Sequence, residues 1–424
     1  MYYLVRPIAR IAIKLFYRKI YISHLENIPR GKPVILAANH PTAFMEPCIM
    51  AVFMRQPLSF LVRGDFFAKP FYRFLLESLK MLPIYRIIDA GYSGLKNNFA
   101  TFEACADALF KGRTIMMFPE GNTTHEKRMR PVRKGLARIV AGTFEKYPDL
   151  EEIYVVPLGV NYTYAERPRS VVMIDAGTPI PAKSFFTDGV QRGINSLTAV
   201  IKEKLEERVI IIAREEDEAL AEQLLLIARS GNEGPVLPIS SADKRYLDTE
   251  MAIADHLNSM GDSEKSDLAS TANAYFSELA RYDLDDTAVY APKRFSLPFR
   301  LLLLMGLIPA LAGRIFCALP MQTALYIKKS RVKRIEFFAP VLLAVTMGTF
   351  VVYYLFWMLL ALFSGRMALF PIALALGLLG YWDIVRSELC KKVAHSRRFL
   401  RLPREEQTGL QVMRAAVVEQ SGCL

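Results

Sequence analysis

The stretch PVILAANHPTAFMEP, Pro33 to Pro47, joins a short apolar run to a polar loop and then to the start of a helix. Its first six residues carry no charge and do not alternate, which is the pattern of a strand buried on both faces. Glu46 followed by Pro47 reads as a helix N-cap and its first-turn proline. Working outward, LSFLV (Leu58 to Val62), TIMMF (Thr114 to Phe118), IYVVPLGV (Ile153 to Val160) and SVVMI (Ser170 to Ile174) repeat the strand pattern. Helical stretches lie between them, at Gly94 to Phe110 and Lys134 to Phe144. Strands buried on both faces and separated by helices predict an α/β domain with a mostly parallel sheet flanked by helices.

The loop after the first run carries the chemistry. His40 and Glu46 stand six positions apart, and one compact turn brings such a pair within hydrogen-bond distance. The dipole of the following helix favours an ionised Glu46. The carboxylate would accept from one ring nitrogen of His40 and leave the other to remove a proton. Taken alone, such a pair is more often a capped loop than an active site. A second polar cluster, Phe118-Pro119-Glu120-Gly121, follows the TIMMF run. Ligands collect at the carboxyl ends of strands in open α/β sheets, so both clusters are expected to face one crevice.

Asn39-His40-Pro41 with Glu46, followed about 80 residues later by Phe118-Pro119-Glu120-Gly121, resembles the glycerolipid acyltransferase family. Leu82-Pro83-Ile84-Tyr85-Arg86 resembles the family's middle block, and Val155-Val156-Pro157-Leu158-Gly159-Val160 its fourth. The spaced histidine block and the C-terminal membrane segments are most similar to the glycerol-3-phosphate and dihydroxyacetone-phosphate acyltransferase branch of fungi. That branch shows an aspartate where this chain has Glu46. The resemblance implies an O-acyltransferase that moves a fatty acyl group from acyl-CoA or acyl carrier protein to glycerol 3-phosphate or 1-acylglycerol 3-phosphate. It implies catalysis by His40 with Glu46, acceptor-phosphate contact by Arg86, and an acceptor-binding role for Phe118, Pro119, Glu120 and Gly121. Neither a metal nor a cofactor is required, because the thioester is a substrate. His40 would take the acceptor proton as the alcohol attacks the thioester carbonyl, without an acyl-enzyme. Another lysolipid acceptor, or an inactive membrane lipid-binding protein of the same fold, are the alternatives.

The whole composition agrees with a membrane setting. Of 424 residues 52% are hydrophobic, and 54 Lys and Arg against 42 acidic residues leave a net charge of +12, which favours anionic partners such as a phospholipid surface. Five scattered cysteines predict neither a disulfide framework nor a thiolate zinc site, and a reducing compartment. Residues 1–24 read as an uncleaved amphipathic helix on the membrane surface, with Arg6, Arg10, Lys14 and Arg18 along one stripe and Ile8, Ile11, Leu15 and Phe16 apolar; a surface helix packed on its own domain is the alternative. The acyltransferase domain is expected over 25–212, and a helical connecting region, a solvated spacer, over 213–296.

Membrane segments are expected over 297–385, and a basic cytoplasmic tail over 386–424. Phe337 to Gly365 is free of formal charge, as is Met367 to Trp382, predicting a spanning hairpin with its turn at Ser364 to Arg366. Lys328, Lys329, Arg331, Lys333 and Arg334 precede it, and Arg386, Lys391, Lys392, Arg397, Arg398 and Arg401 follow. The positive-inside rule then puts both ends, and the catalytic domain, on the cytoplasmic face. Arg300, Pro309, Arg314 and Pro320 make Leu297 to Pro320 a re-entrant or interfacial element; a full crossing there would reverse the topology. A dense basic run, Lys127, Arg128, Arg130, Arg133 and Lys134, follows the third block and fits donor phosphates, the membrane surface or a solvated loop. No H-E-x-x-H, G-x-x-x-x-G-K-[ST] or G-x-S-x-G occurs, so zinc protease, phosphate-loop and serine lipase chemistry are excluded by motif. The basic residues lie beside membrane segments rather than in a nucleic-acid module, so no nucleic-acid partner is expected.

Overall fold

The apolar runs pair into one sheet. In the computed structural model, which describes residues 1–84, 94–232 and 234–422, its strands are β1 (Lys19–Ser23), β2 (Val34–Ala38), β3 (Leu58–Arg63), β4 (Met81–Ile84), β5 (Thr114–Met117), β6 (Tyr154–Tyr162), β7 (Val171–Ala176), β8 (Ile180–Pro181) and β9 (Ile239–Ser241). The order is β4-β3-β5-β2-β6-β7-β1-β9, with β8 pairing β6. Pairing is parallel except where β7 and β8 meet β6. The sheet is thus mostly parallel, as the uniform apolar runs predict. The carboxyl ends of β2, β3, β4, β5 and β6 share one edge, and the reversal at β6 and β7 sends those of β1, β7 and β9 to the other.

Helices α1 (Tyr2–Phe16), α2 (Met45–Phe53), α3 (Pro70–Ser78), α4 (Gly94–Phe110), α5 (Gly135–Lys146) and α6 (Val190–Glu206) accompany the sheet. Ile35, Ala37, Ile115 and Val155 point from the strands into a core that Leu109, Leu136, Val140, Leu197 and Ile201 complete from the helices. These elements form one unit, Met1–Ile210 with Ile239–Lys244 and Arg334–Pro340.

The second unit comprises Ile211–Pro238, Arg245–Lys333 and Val341–Leu424. Its polar part contains α7 (Glu218–Gly231), α8 (Arg245–Ser259), α9 (Asp262–Arg281) and α10 (Asp286–Tyr290). These helices bury Leu224, Leu225, Ile253, Leu257, Leu268, Ala272 and Tyr275. Among the described residues, three helices are long and apolar enough to cross a membrane: Leu297–Arg331, Ile335–Ser364 and Leu369–Phe399. The first consists of α11 (Leu297–Met305) and α12 (Leu307–Arg331), the others of α13 (Phe338–Ser364) and α14 (Leu369–Phe399). A Cβ on Gly313 would lie 2.1 Å from the Gly380 nitrogen, so α12 and α14 touch backbone to backbone, as membrane helices with small residues do. Arg314 and Asp383 pair across the same contact at 2.7 Å. The last helix, α15 (Arg404–Ser421), is held to α10 by Arg414 and Asp286, 3.0 Å apart.

Two expectations need correction. The helix expected over 1–24 ends at Phe16, and Lys19–Ser23 is a strand in parallel register with β7, Ile20 opposite Val172. KIYIS alternates β-prone residues over only five positions, too few to interrupt the stronger basic period around it. The region over 213–296 is not a solvated spacer: Ile239–Ser241 adds a strand to β1, and α7 to α9 share an apolar core. Most of its acidic residues sit on the outside of packed helices, with Asp217, Glu250 and Asp286 buried, and local charge counting does not see the inner faces.

Candidate active site

Strand β2 stops because its last ladder position is filled by a side chain. The Asn39 amide donates to Val160 O at 2.8 Å, and Val160 N donates to Asn39 Oδ1 at 2.7 Å, so Asn39 continues the pairing with β6 while its backbone leaves the sheet. His40 is thereby delivered to the carboxyl edge. Helix α2 begins at Met45, which puts Glu46 second in the helix and not at the N-cap the sequence suggests; Thr42 Oγ1 accepts from Met45 N at 3.2 Å instead. The Glu46 carboxylate is completely buried. Its Oε1 accepts from Thr42 N at 2.9 Å, Thr42 Oγ1 at 2.7 Å and, more weakly, Tyr162 Oη at 3.4 Å. Its Oε2 is 3.3 Å from His40 Nδ1. The two atoms are close but misaligned, and neither makes another hydrogen bond. Such contacts tighten when substrate arrives.

The third block meets the same point. The Phe118 ring stacks on the His40 imidazole, centroids 3.7 Å apart and planes 11° from parallel. Thr124 N donates to His40 O at 3.2 Å. Glu120 is buried, and burial pushes its carboxyl up to about 7 against the opposing pull of the His40 and Arg130 backbone N–H groups and the Arg130 charge. Gly121 turns with φ +73°, and a Cβ there would meet the Arg133 side chain at 3.1 Å. Arg133 also fixes the turn through its N–H to Pro119 O, 2.8 Å. The basic run therefore packs against the third block near its end, at Arg133.

The structure thus brings His40, Glu46, Phe118, Pro119, Glu120 and Gly121 to one edge. Strand β4 ends at the same edge with Ile84, and Arg86 lies outside the described residues. The fourth block forms β6, where Gly159 is required because a Cβ would sit 2.2 Å from Arg208 O. Cys48, beside Glu46 in sequence, has its thiol pushed up to about 12 by burial and then by Glu46, so it is no thiolate nucleophile near neutral pH.

Residues with no motif signal complete the site. Burial, and then the Glu46 charge, push the Tyr17 and Tyr162 phenols well above their usual range, so both stay protonated beside that carboxylate. The segment Arg334–Pro340, some 210 residues further on in sequence, binds both site loops. Glu336 O accepts from Ala43 N at 3.1 Å, and Arg334 Nη2 donates to Thr123 O at 3.3 Å and to Glu336 Oε1 at 2.9 Å. Only the fold brings this segment to the site, so no local pattern signals it.

A carboxylate, an imidazole and a second carboxyl whose pKa burial raises, all at strand ends, fit proton transfer from a hydroxyl group. Residues 19–161 match the family model described as Acyltransferase. That stretch runs from β1 into β6 and carries both the His40 and the Phe118 blocks. Among its relatives are an uncharacterized acyltransferase of Schizosaccharomyces pombe, 30% identical over 80 residues, covering 19% of this chain and 12% of that one. Glycerol-3-phosphate O-acyltransferase 1 of Saccharomyces cerevisiae is 27% identical over 89 residues, 21% of this chain and 12% of that one. A chloroplastic 1-acyl-sn-glycerol-3-phosphate acyltransferase of Brassica napus is 25% identical over 136 residues, 32% of this chain and 37% of that one. The chain therefore spans about an eighth of the two yeast relatives. The crystal structure of the 1-acyl-sn-glycerophosphate acyltransferase PlsC from Thermotoga maritima is similar over 48% of this chain and 79% of that one, at 18% identity and a TM-score of 0.36.

Proposed function

We propose that this protein is a membrane-bound O-acyltransferase that transfers a fatty acyl group from acyl-CoA or acyl carrier protein to glycerol 3-phosphate or 1-acylglycerol 3-phosphate. The observation that carries the reading is Glu46 Oε2 at 3.3 Å from His40 Nδ1, with the other Glu46 oxygen already occupied by Thr42. Glu46 holds the proton on Nδ1, and Nε2 takes the acceptor's hydroxyl proton as its oxygen attacks the thioester carbonyl. The tetrahedral intermediate collapses with loss of the carrier thiolate, and His40 returns the proton to that sulfur. Glu120 and the Phe118 to Gly121 turn hold the polar head of the acceptor, and Arg86 its phosphate.

Relatives that are named for both acceptors match this chain, so glycerol 3-phosphate and its 1-acyl product stand together as acceptors. An acceptor panel with one labelled acyl thioester, resolved by mass spectrometry, tests the reading. Product from a phosphorylated glycerol acceptor, absent in His40→Ala, is expected. Equal thiol release by wild type and His40→Ala with every acceptor would support the lipid-binding alternative instead.

Membrane attachment is supported by the three apolar helices and by α1. That helix turns Tyr3, Leu4, Ile8, Ile11 and Leu15 outward while Arg6 donates to Met54 O and Arg10 lies over the Phe53 ring. A soluble surface helix would have the opposite arrangement. Residues Arg334–Pro340 belong to the sheet-bearing unit, which supports a return of the chain to the catalytic face after Leu297–Arg331. The α15 contact with α10, which precedes the first apolar helix, supports a second return. Both returns support an even number of crossings, and the basic flanks favour the cytoplasmic face for the chain ends.

A further inference from the structure

We infer that the carboxyl edge of the sheet, where His40 lies, is itself a membrane-contacting surface, and that the aromatic segment Gly64 to Ser78 inserts into the lipid interface there. The inference deepens the acyltransferase reading and rests on it only for what the contact is used for.

Two independent observations point to lipid as the occupant. The first is the segment itself. It leaves β3 at the carboxyl edge and forms a short turn, Gly64–Phe67, followed by α3. In α3 no residue is buried, although Phe71 and Phe74, three positions apart on one face, are 71% and 67% exposed. Phe66 and Tyr72 are exposed beside them. Four large aromatic side chains facing outward from fifteen residues are far more than scattered surface apolar residues require. Arg63, Lys69, Arg73 and Lys80 outnumber Asp65 and Glu77 in and around the segment, so its charge complements an anionic headgroup layer. Aromatic rings with basic neighbours are the composition of a membrane–water interface.

The second observation is Arg334–Pro340. Its hydrogen bonds to Ala43 and Thr123 tie it to the loops of the carboxyl edge. Within the chain it runs directly into the 27-residue apolar helix α13, whose first residues are Phe338 to Pro340. A helix of that composition starts at the lipid boundary. The edge that holds this starting point therefore lies at the boundary too, and it is the edge from which the aromatic segment projects. A lipid-borne acyl chain then reaches His40 without leaving the interface.

Spin labels placed singly at Phe71→Cys, Phe74→Cys and, on the opposite edge, Lys244→Cys test this in the full chain with its native cysteines replaced, reconstituted in vesicles of phosphatidylcholine with 30% phosphatidylglycerol (about that fraction suffices for a negative surface). At positions 71 and 74 collision with oxygen is expected to exceed collision with a soluble nickel chelate, and at position 244 the reverse. Nickel accessibility at 71 and 74 equal to that at 244 overturns the proposal, whether or not the protein transfers acyl groups. In an active preparation, Phe71→Ser with Phe74→Ser is expected to raise the apparent KM for a vesicle-borne long-chain acceptor about tenfold. Turnover of a short-chain, water-soluble thioester with glycerol 3-phosphate should remain unchanged. Equal losses on both substrates, with unchanged melting temperature, would also overturn it.

Discussion

The imidazole of His40 lies flat on the ring of Phe118, 3.7 Å between centroids, although the two residues come from different strand ends. The stack fixes the plane in which the imidazole points at Glu46. An aromatic pair of this kind contributes about 1 kcal/mol beyond its burial. Phe118→Leu keeps the apolar volume and loses the flat face. We expect kcat to fall about tenfold with little change in acceptor KM, read from steady-state acyl transfer on matched preparations.

Glu46 is set for its length. Its two oxygens divide between Thr42 and His40, Oε1 bonding Thr42 and Oε2 lying 3.3 Å from His40 Nδ1. Glu46→Asp withdraws the group by about 1.5 Å and should cost activity. Glu46→Gln should cost more, on the order of 100-fold in kcat. If the amide oxygen keeps the Thr42 contacts, the amide N–H faces Nδ1 and leaves the proton on the wrong nitrogen. Equal activity of Glu46→Asp and wild type would show that the reach is not limiting.

The raised carboxyl of Glu120 makes stability depend on pH. Its folded value, about 7, lies above the ordinary 4.5. The folded state therefore holds the proton more tightly, and stability falls as pH rises from about 4.5 to about 7, then levels off. The full difference is roughly 3 kcal/mol. Glu120→Gln should remove this slope, so the variant gains melting temperature relative to wild type as pH rises through that window. Parallel curves for the two proteins between pH 4.5 and 7.5 would contradict the assignment.

Arg334 bridges Thr123 O and Glu336 Oε1 from far away in the chain. Arg334→Ala should loosen the loops that carry His40 and Glu120 and lower kcat several-fold, about 1 kcal/mol in barrier. Arg334→Lys should recover part of it, because an ammonium still reaches one of the two acceptors. Hydrogen exchange at the Ala43 and Thr124 amides reads the same loosening without turnover; unchanged exchange in Arg334→Ala would deny the segment a positioning role.

If α13 and α14 each cross the bilayer, as proposed above, Ser364 to Arg366 lies away from the catalytic face. A cysteine at Arg366 should react with an impermeant maleimide from the outside of sealed spheroplasts, and one at Lys333 only after lysis. Protection of both positions until lysis would require that α13 and α14 dip into the bilayer and return without crossing.

Much of this arrangement could be read from the chain. Uniform apolar runs such as PVILAA and TIMMF specify a doubly covered parallel sheet, and helix α4 spans Gly94–Phe110, the boundaries its pattern indicates. The His40 and Phe118 blocks are legible because the residues lie next to the strands that deliver them. Contacts made across the sheet are not. Tyr162, Tyr17 and Arg334 approach Glu46 and its loop through tertiary packing, and nothing near them in sequence differs from an ordinary strand, turn or basic flank. Strand Lys19–Ser23 was hidden by its neighbours: five residues after a strongly periodic helix carry too little pattern to stand out. The start of α2 shifted by two residues because Thr42, a better cap than Phe44, accepts the Met45 amide from outside the helix.

Asn39 finishes a strand with its side chain where backbone would ordinarily serve. Substituting it need not dissolve the sheet, since one amide pair among many is lost, but the polypeptide would be free to continue straight and rotate the next residue to the other surface. Harm at this position should therefore surface as well-folded, catalytically silent protein, a phenotype easily mistaken for loss of a reacting group.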